Sequence, residues 1–353
     1  MRVAIDAMGG DHAPEAVVEG ALLAQSCCSA DLVLVGNEPV IRDLVGGGPD
    51  NADLQIVHAP QSITMEEAGP IAIRRKLDSS LNVAMRMLAQ GEVDAVISAG
   101  NTSAIVASAK HYVELLPGLR RPALAVSLPT ETGRPVLLDA GAHAQAGTVH
   151  LAQSAALAHI YLKVTQGLDQ PRIGLLNIGR EPGKGTSAVQ RAFALIKRSG
   201  LNFIGNIEPN DLFSGLTDSV ICEGFVGNII LKMYEGISDG LIRKLSKKIE
   251  QCGDESREDL SRILEDFERS YHYSHVGGAP LLGVKKTVVV AHGRSNSTAI
   301  NSAIQLTCRV AAENICGKMS EALEQDSTLV DFKFFNALLL LENLKKKWRF
   351  SPR

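Results

Sequence analysis

Nine short runs rich in Val, Ile and Leu punctuate this chain: "VAID", "LVLVG", "LQIVH", "DAVISAG", "ALAVSLP", "PVLLDAG", "RIGLLNIG", "SVICEG" and "TVVVAHG". Longer segments with helical spacing of apolar residues separate them. Apolar runs of this length, alternating with helices, belong to a mostly parallel sheet buried on both faces. The pattern therefore predicts a doubly wound α/β fold. At 353 residues the length alone suggests about two domains. A large α/β chain can also be one continuous unit, and a single α/β domain is expected over residues 1–340, followed by a basic tail over 341–353.

Several runs end in Gly with small polar residues, as in "SAGNTSA", "DAGAH", "NIGREPGKG", "EGFVGN" and "AHGRSNS". Ligands of open α/β sheets sit at the carboxyl ends of strands, so these five loops are expected to converge on one crevice along one sheet edge. The stretch "NIGREPGKGTS" comes within one residue of a nucleotide-binding P-loop. Gly179 stands one place too close to Gly183 and Lys184, and Gly185 replaces the Ser or Thr that would hold magnesium. An ATPase is disfavoured, yet a Gly-rich turn between a strand and the helix "TSAVQRAFALIKRSG" still aims backbone N–H groups at an anion.

Much familiar chemistry is absent. There is no H-E-x-x-H, no G-x-S-x-G and no G-x-G-x-x-G, and the six cysteines form no C-x-x-C pair. No metal and no cofactor is expected, and the thiols fit a reducing cytoplasm. A net charge of −3, spread along the chain, gives no basic field for nucleic acid. The strand-like start "MRVAIDAMGG" speaks against export. Residues 140–162 carry no formal charge but are interrupted by Gln145, His150, Gln153, Ser154 and His159, which predicts a buried helix rather than a membrane span.

What remains in the loops is a set of neutral donors with one lysine: Asn101, Thr102, Lys184, Asn228, His292 and Ser295, with Gly183, Gly185 and Gly227 among them. That composition suits a phosphate or a developing oxyanion. Asp6, Gly9, Gly10 and His12 follow the first strand and are expected to line the same crevice, with a structural hydrogen bond as the alternative role of His12. Carboxylates are scarce there apart from Asp6, Asp11, Asp139 and Glu181, so general acid-base hydrolysis has few candidates.

Residues 237–275 break the alternation and read as a helical hairpin. Ile237, Leu241, Leu245 and Ile249 recur at helical spacing beside Arg243, Lys244, Lys247 and Lys248; Leu260, Ile263, Leu264, Phe267 and Tyr271 mark the second helix. The apolar stripe suits an intramolecular or dimer contact, and the cations suit an acidic partner or an anionic membrane. The tail "LKKKWRFSPR" is expected to be a disordered basic end with membrane-surface contact as the alternative.

Seven motifs in order carry a resemblance: "DAMGGDHAP", "SAGNTSA", "RPALAVSLPT", "LLNIGREPGKG", "NFIGNIE", "EGFVGNIILK" and "GGAPLLGV". Over nearly its whole length the chain resembles the bacterial phosphate acyltransferase family PlsX. The resemblance implies a three-layer α/β fold similar to phosphotransacetylases and isopropylmalate-type dehydrogenases. It implies formation of acyl-phosphate from inorganic phosphate and fatty acyl-acyl carrier protein, feeding phospholipid synthesis. It also implies a homodimer, peripheral contact with the inner membrane face, and a downstream glycerol-3-phosphate acyltransferase as a partner. The family's catalytic lysine and asparagine fall on Lys184 and Asn228. Ser103, His143 and Arg294 depart from the family pattern, which weakens any role given to those positions. A nicotinamide-dependent dehydrogenase on a similar fold is the alternative.

Overall fold

The computed structural model describes residues 1–46, 54–130, 133–251, 254–271 and 277–325. Among these residues an 11-stranded sheet runs in the order β3-β2-β1-β4-β11-β10-β5-β6-β9-β7-β8. Its strands are β1 (Arg2–Asp6), β2 (Asp31–Gly36), β3 (Gln55–His58), β4 (Ala95–Ser98), β5 (Ala123–Ser127), β6 (Val136–Leu138), β7 (Ile173–Leu176), β8 (Phe203–Ile207), β9 (Ser219–Ile221), β10 (Ala279–Leu282) and β11 (Thr287–Val290). All nine apolar runs contain a strand. The remaining two, β8 and β10, hide in "NFIGNIE" and "GGAPLLGV", where Gly, Asn and Pro dilute the apolar signal. The basic tail and the end of the proposed 1–340 unit lie outside the described residues.

Strand direction divides the sheet. β3, β2, β1, β4 and β11 form one parallel block, and β6, β9, β7 and β8 form another. Between them β10 pairs antiparallel with β11 and with β5, and β5 pairs antiparallel with β6. Three reversals leave the two blocks pointing in opposite directions. The five Gly-ended loops therefore do not leave one edge, as the sequence suggested, but two opposite ones. Neighbouring strands twist by about 20–25°, so five steps from β4 to β9 turn these edges toward one another over the antiparallel middle.

Helices cover both faces. α1 (Glu15–Gln25) packs on α10 (Ser297–Ala312), and α3 (Gly69–Arg75) packs on α5 (Thr102–Tyr112). On the second block lie α6 (Thr148–Gln166) and α7 (Ser187–Lys197). Twelve of the 19 residues of α6 are buried, which makes it the buried helix its uncharged sequence predicts. No helix among the described residues is long and apolar enough to cross a membrane. α8 (Gly224–Ile249) packs on α9 (Asp254–Tyr271), and residues 252–253 and 272–275 of the 237–275 segment lie outside the described residues. The first helix of that segment begins at Gly224 rather than Ile237, because "EGFVGN" is the helix's own first turn and not a loop.

Candidate active site

A cavity of about 380 Å³ lies over the antiparallel middle of the sheet. Leu124, Val126 and Leu128 from β5 and its end, Ala279 from β10 and Val290 from β11 give it an apolar floor. Both strand blocks supply its walls. From the first come Asp11, Thr102 and the turn His292–Ser295; from the second come Ala140, Gly141 and the α8 face carrying Asn228, Leu231, Lys232 and Glu235. Positions spaced by three, four and seven share one face of a helix, so the cavity wall is a single stripe of α8.

Asp139 fixes that wall. Its Oδ1 accepts the backbone N–H groups of Leu124 (3.0 Å), Gly141 (3.1 Å) and Ala142 (2.9 Å), and Oδ2 accepts that of His143 (3.0 Å). The carboxylate also lies beside the first turn of α8, where the helix dipole favours negative charge. Two glycines permit this approach. A Cβ on Gly227 would stand 2.0 Å from the Asp139 carbonyl oxygen, and one on Gly224 would stand 2.4 Å from that of His143. Gly227 thus serves packing, not ligand contact. Asn228 follows at once, close against Gly141, and its amide makes no hydrogen bond among the described residues.

Asn101 contrasts with it. Its amide nitrogen donates to the carbonyls of Met65 (3.0 Å) and Glu67 (2.8 Å), and its Oδ1 accepts from Ala104 N–H (3.2 Å) and Ser103 Oγ (2.7 Å). Both ends of the amide are committed to capping α5 and pinning the preceding segment, so Asn101 builds the site while its neighbour Thr102 faces the cavity. Ser295, 5% exposed, also reaches the wall.

The opening motif divides similarly. Asp6 is 3% exposed and absent from the cavity wall; its Oδ2 accepts the Ser98 hydroxyl at 2.6 Å. Burial pushes its carboxyl above the usual aspartate value, against the hydrogen bonds from Ser80, Ser98 and Met8. Gly9 lets this strand end touch the next, since a Cβ there would meet Asp6 Oδ2 at 2.6 Å and Gly100 N at 2.9 Å. Gly10, at φ +120°, turns the chain so that Asp11 N–H bonds Gly293 O at 2.8 Å. Asp11 rather than Asp6 enters the wall. His12 is exposed and outside it.

Lys184 stands apart from the cavity lining, exposed on the loop after β7. Side chains brace that loop. Asn177 Nδ2 donates to Lys184 O (3.0 Å), Asn206 Nδ2 to Glu181 O (2.9 Å) and Gln190 Nε2 to Gly183 O (2.7 Å), while Arg180 pairs with Asp211 at 2.7 Å. Gly185 adopts φ +82°, and a Cβ there would strike Asn177 Oδ1 at 2.4 Å. Carbonyls are thereby tied down, and the N–H groups of Gly183 and Gly185 meet no acceptor among the described residues. A braced loop with free N–H groups, beside a lysine with no ion pair among the described residues, is suited to an anion.

No cysteine lines the wall among the described residues. Cys222 is 4% exposed, and burial, reinforced by Asp139 and Glu223, pushes its thiol far above the ordinary value. No group of His, Cys, Asp and Glu among the described residues forms a metal cluster. Beside the Asp139–His143 turn, His150 is pushed down to about 4 by burial first and then by Arg121, His143, Arg120 and Lys110.

Comparison with known proteins bears on this geometry. Residues 1–318 match the model of a family described as fatty acid synthesis protein. A phosphate acyltransferase from Syntrophobacter fumaroxidans is 57% identical over the full length of both chains. The chain belongs to the phosphate acyltransferase family. It is a transferase, and the dehydrogenase alternative is set aside. A second phosphate acyltransferase, from Pelotomaculum thermopropionicum, is 38% identical over 94% of this chain and 97% of its own. Among solved structures, a phosphotransacetylase from Streptococcus pyogenes aligns with a TM-score of 0.61 at 16% identity, covering 89% of this chain and 94% of that one. A branched-chain phosphotransacylase from Enterococcus faecalis gives 0.56 at 14% identity over 88% and 99%. These likenesses show the fold alone, and it is the three-layer fold that the sequence resemblance implied.

Sequence reasoning missed Lys232, Glu235 and, as site members, Asp11 and Arg294. Reading "EGFVGN" as a loop hid the first two. Read as a helix start, the steps of four and seven from Asn228 would have marked both.

Proposed function

We propose that this acyltransferase forms acyl-phosphate from inorganic phosphate and a fatty acyl chain carried as a thioester on acyl carrier protein, supplying phospholipid synthesis. The observation that carries the reading is the cavity itself. An apolar floor takes acyl methylenes, while a rim of neutral donors and the cations Lys232 and Arg294 takes the thioester carbonyl and an anion. Phosphate is a competent nucleophile at neutral pH and needs no covalent enzyme intermediate. Holding both reactants together supplies orientation, and the uncommitted Asn228 amide donates to the oxyanion as it develops. Lys184, with the Gly183 and Gly185 N–H groups, binds phosphate outside the cavity lining and delivers it to the carbonyl held there.

The outer surface of α8 supports a homodimer and docking of the hairpin. Phe225, Ile229, Met233, Ile237, Leu241 and Leu245 are all exposed. Each step of four residues advances about 40° around a helix, so this row turns by about 200° and offers apolar surface in two directions. One direction suits a second copy. The other, beside the exposed Arg243, Lys244, Lys247 and Lys248, suits acidic carrier protein and the anionic inner face of the membrane, where the downstream glycerol-3-phosphate acyltransferase would receive the product.

The test is incubation of purified protein with palmitoyl-acyl carrier protein and phosphate, with hydroxylamine trapping. Phosphate-dependent hydroxamate is expected, and its absence from well-folded protein overturns the reading. Lys184→Ala should lower turnover by about 100-fold or more with the fold intact. Wild-type turnover in that variant removes Lys184 from the chemistry. Charge reversal at Lys244 and Lys247 should weaken carrier-protein or liposome binding; unchanged binding of both returns the segment to a purely structural role.

A further inference from the structure

Glu235 is out of place in a cavity meant for an anion. Its side chain is 3% exposed, and its Oε2 accepts no hydrogen bond among the described residues. The imidazole of His292 approaches it, with Nε2 at 3.3 Å from Oε2, in close contact but not as an aligned hydrogen bond. An unmet buried carboxylate oxygen is expensive to keep unless it has work to do.

The surroundings give this pair a direction. His292 Nδ1 accepts the backbone N–H of Arg294 at 3.1 Å, so the ring proton of the neutral imidazole sits on Nε2 and faces the carboxylate. Ser295 N–H closes the same turn onto His292 O at 3.0 Å, fixing the ring's position. Glu235 lies seven residues beyond Asn228, two turns along the same face of α8, and both line the cavity. That separation is about 10 Å along the axis, which leaves room between the two side-chain ends for a reacting carbonyl and its attacking phosphate.

The chemistry requires one proton to move. When hydrogen phosphate takes the acyl group from a thioester, one C–O bond forms, one C–S bond breaks, and the phosphate O–H proton must end on the departing sulfur. Alkyl thiols hold their proton up to about pH 8.5, so an alkyl thiolate is a reluctant leaving group at neutral pH. We propose that Glu235, held by His292, accepts the proton from the attacking hydrogen phosphate and delivers it to the departing thiolate. This rests on the reading that phosphate and a thioester react in this cavity. It assigns Glu235 the catalytic role and His292 a positioning one.

The experiment compares two donors carrying the same acyl chain, an alkyl thioester of pantetheine type and an aryl thioester whose acidic thiol leaves without a proton. Acyl-phosphate formation by the wild-type enzyme checks the underlying reading first. Glu235→Gln should then lower kcat by about 100-fold or more with the alkyl donor, which loses both proton transfers, and by about tenfold less with the aryl donor, which loses only the first. Equal losses on both donors, or no loss on the alkyl donor, overturn the proposal. Should the variant not fold, the wild-type enzyme decides across a series of thioesters: a shallow dependence of rate on thiol acidity supports the proton transfer, and a steep one overturns it. Failure of the wild-type enzyme on every donor overturns the underlying reading and the proposal with it.

Discussion

Each parallel block ends a central strand in a buried aspartate, and the two behave differently. Asp6, closing β1, accepts the Ser98 hydroxyl and a long 3.3 Å bond from Met8 N–H. Asp139, just past β6, accepts four backbone N–H groups and lies 3.8 Å from the His143 imidazole. Their burial is nearly the same, 3% against 5%. Donors, not depth, set what a carboxylate does in the interior. Asp139 organises a turn and seats a helix on it, while Asp6 joins two strand ends and is held back from ionising by desolvation.

That contrast can be broken at graded cost. The largest effect is expected from Gly227→Ala, because its new Cβ meets a backbone oxygen that the Asp139 turn holds in place. A stability loss upward of about 3 kcal/mol with loss of acyl transfer is expected, read from denaturant midpoints and turnover. Asp139→Asn should come next, at about 2–4 kcal/mol, since an amide turns an NH2 toward N–H groups that need an acceptor. Asp6→Asn should fall within about 1 kcal/mol of wild type near neutral pH. Its sign depends on pH. Because the folded carboxyl binds its proton more tightly than the ordinary value of 3.8, the wild-type protein loses stability as pH rises above that value, until the folded-state group has ionised too. The variant lacks this loss, so its stability relative to wild type should improve from pH 4 upward. A difference that stays flat with pH would show that burial does not hold back the Asp6 carboxyl.

The sheet was legible because fully buried strands need no polar alternation, and an uninterrupted run such as "TVVVAHG" announces itself. Strand direction was not legible. It depends on β5 and β10, whose sequences carry no sign of their pairing direction. The expected single edge of loops failed for that reason alone. Within the site, Asn101, Thr102, Asn228, His292 and Ser295 were marked as polar residues beside Gly. Their division into builders and cavity-facing groups lies in hydrogen bonds to residues far along the chain, as Asn101 shows by reaching back to Glu67. The helical step of seven from Asn228 marks the place of Glu235, but its meaning comes from His292, which the fold sets against it from another strand end.

The length of α8 has a mechanical consequence. Clamped at Gly224 and Gly227, it projects 22 residues from Gly227 to Ile249, about 33 Å of lever. A tilt of about 5° about that clamp would carry the hairpin end some 3 Å yet move the Asn228 backbone by only about 0.1 Å. Glu235, eight residues from the clamp, would move about 1 Å, so the same tilt that spares Asn228 shifts the other side of the cavity.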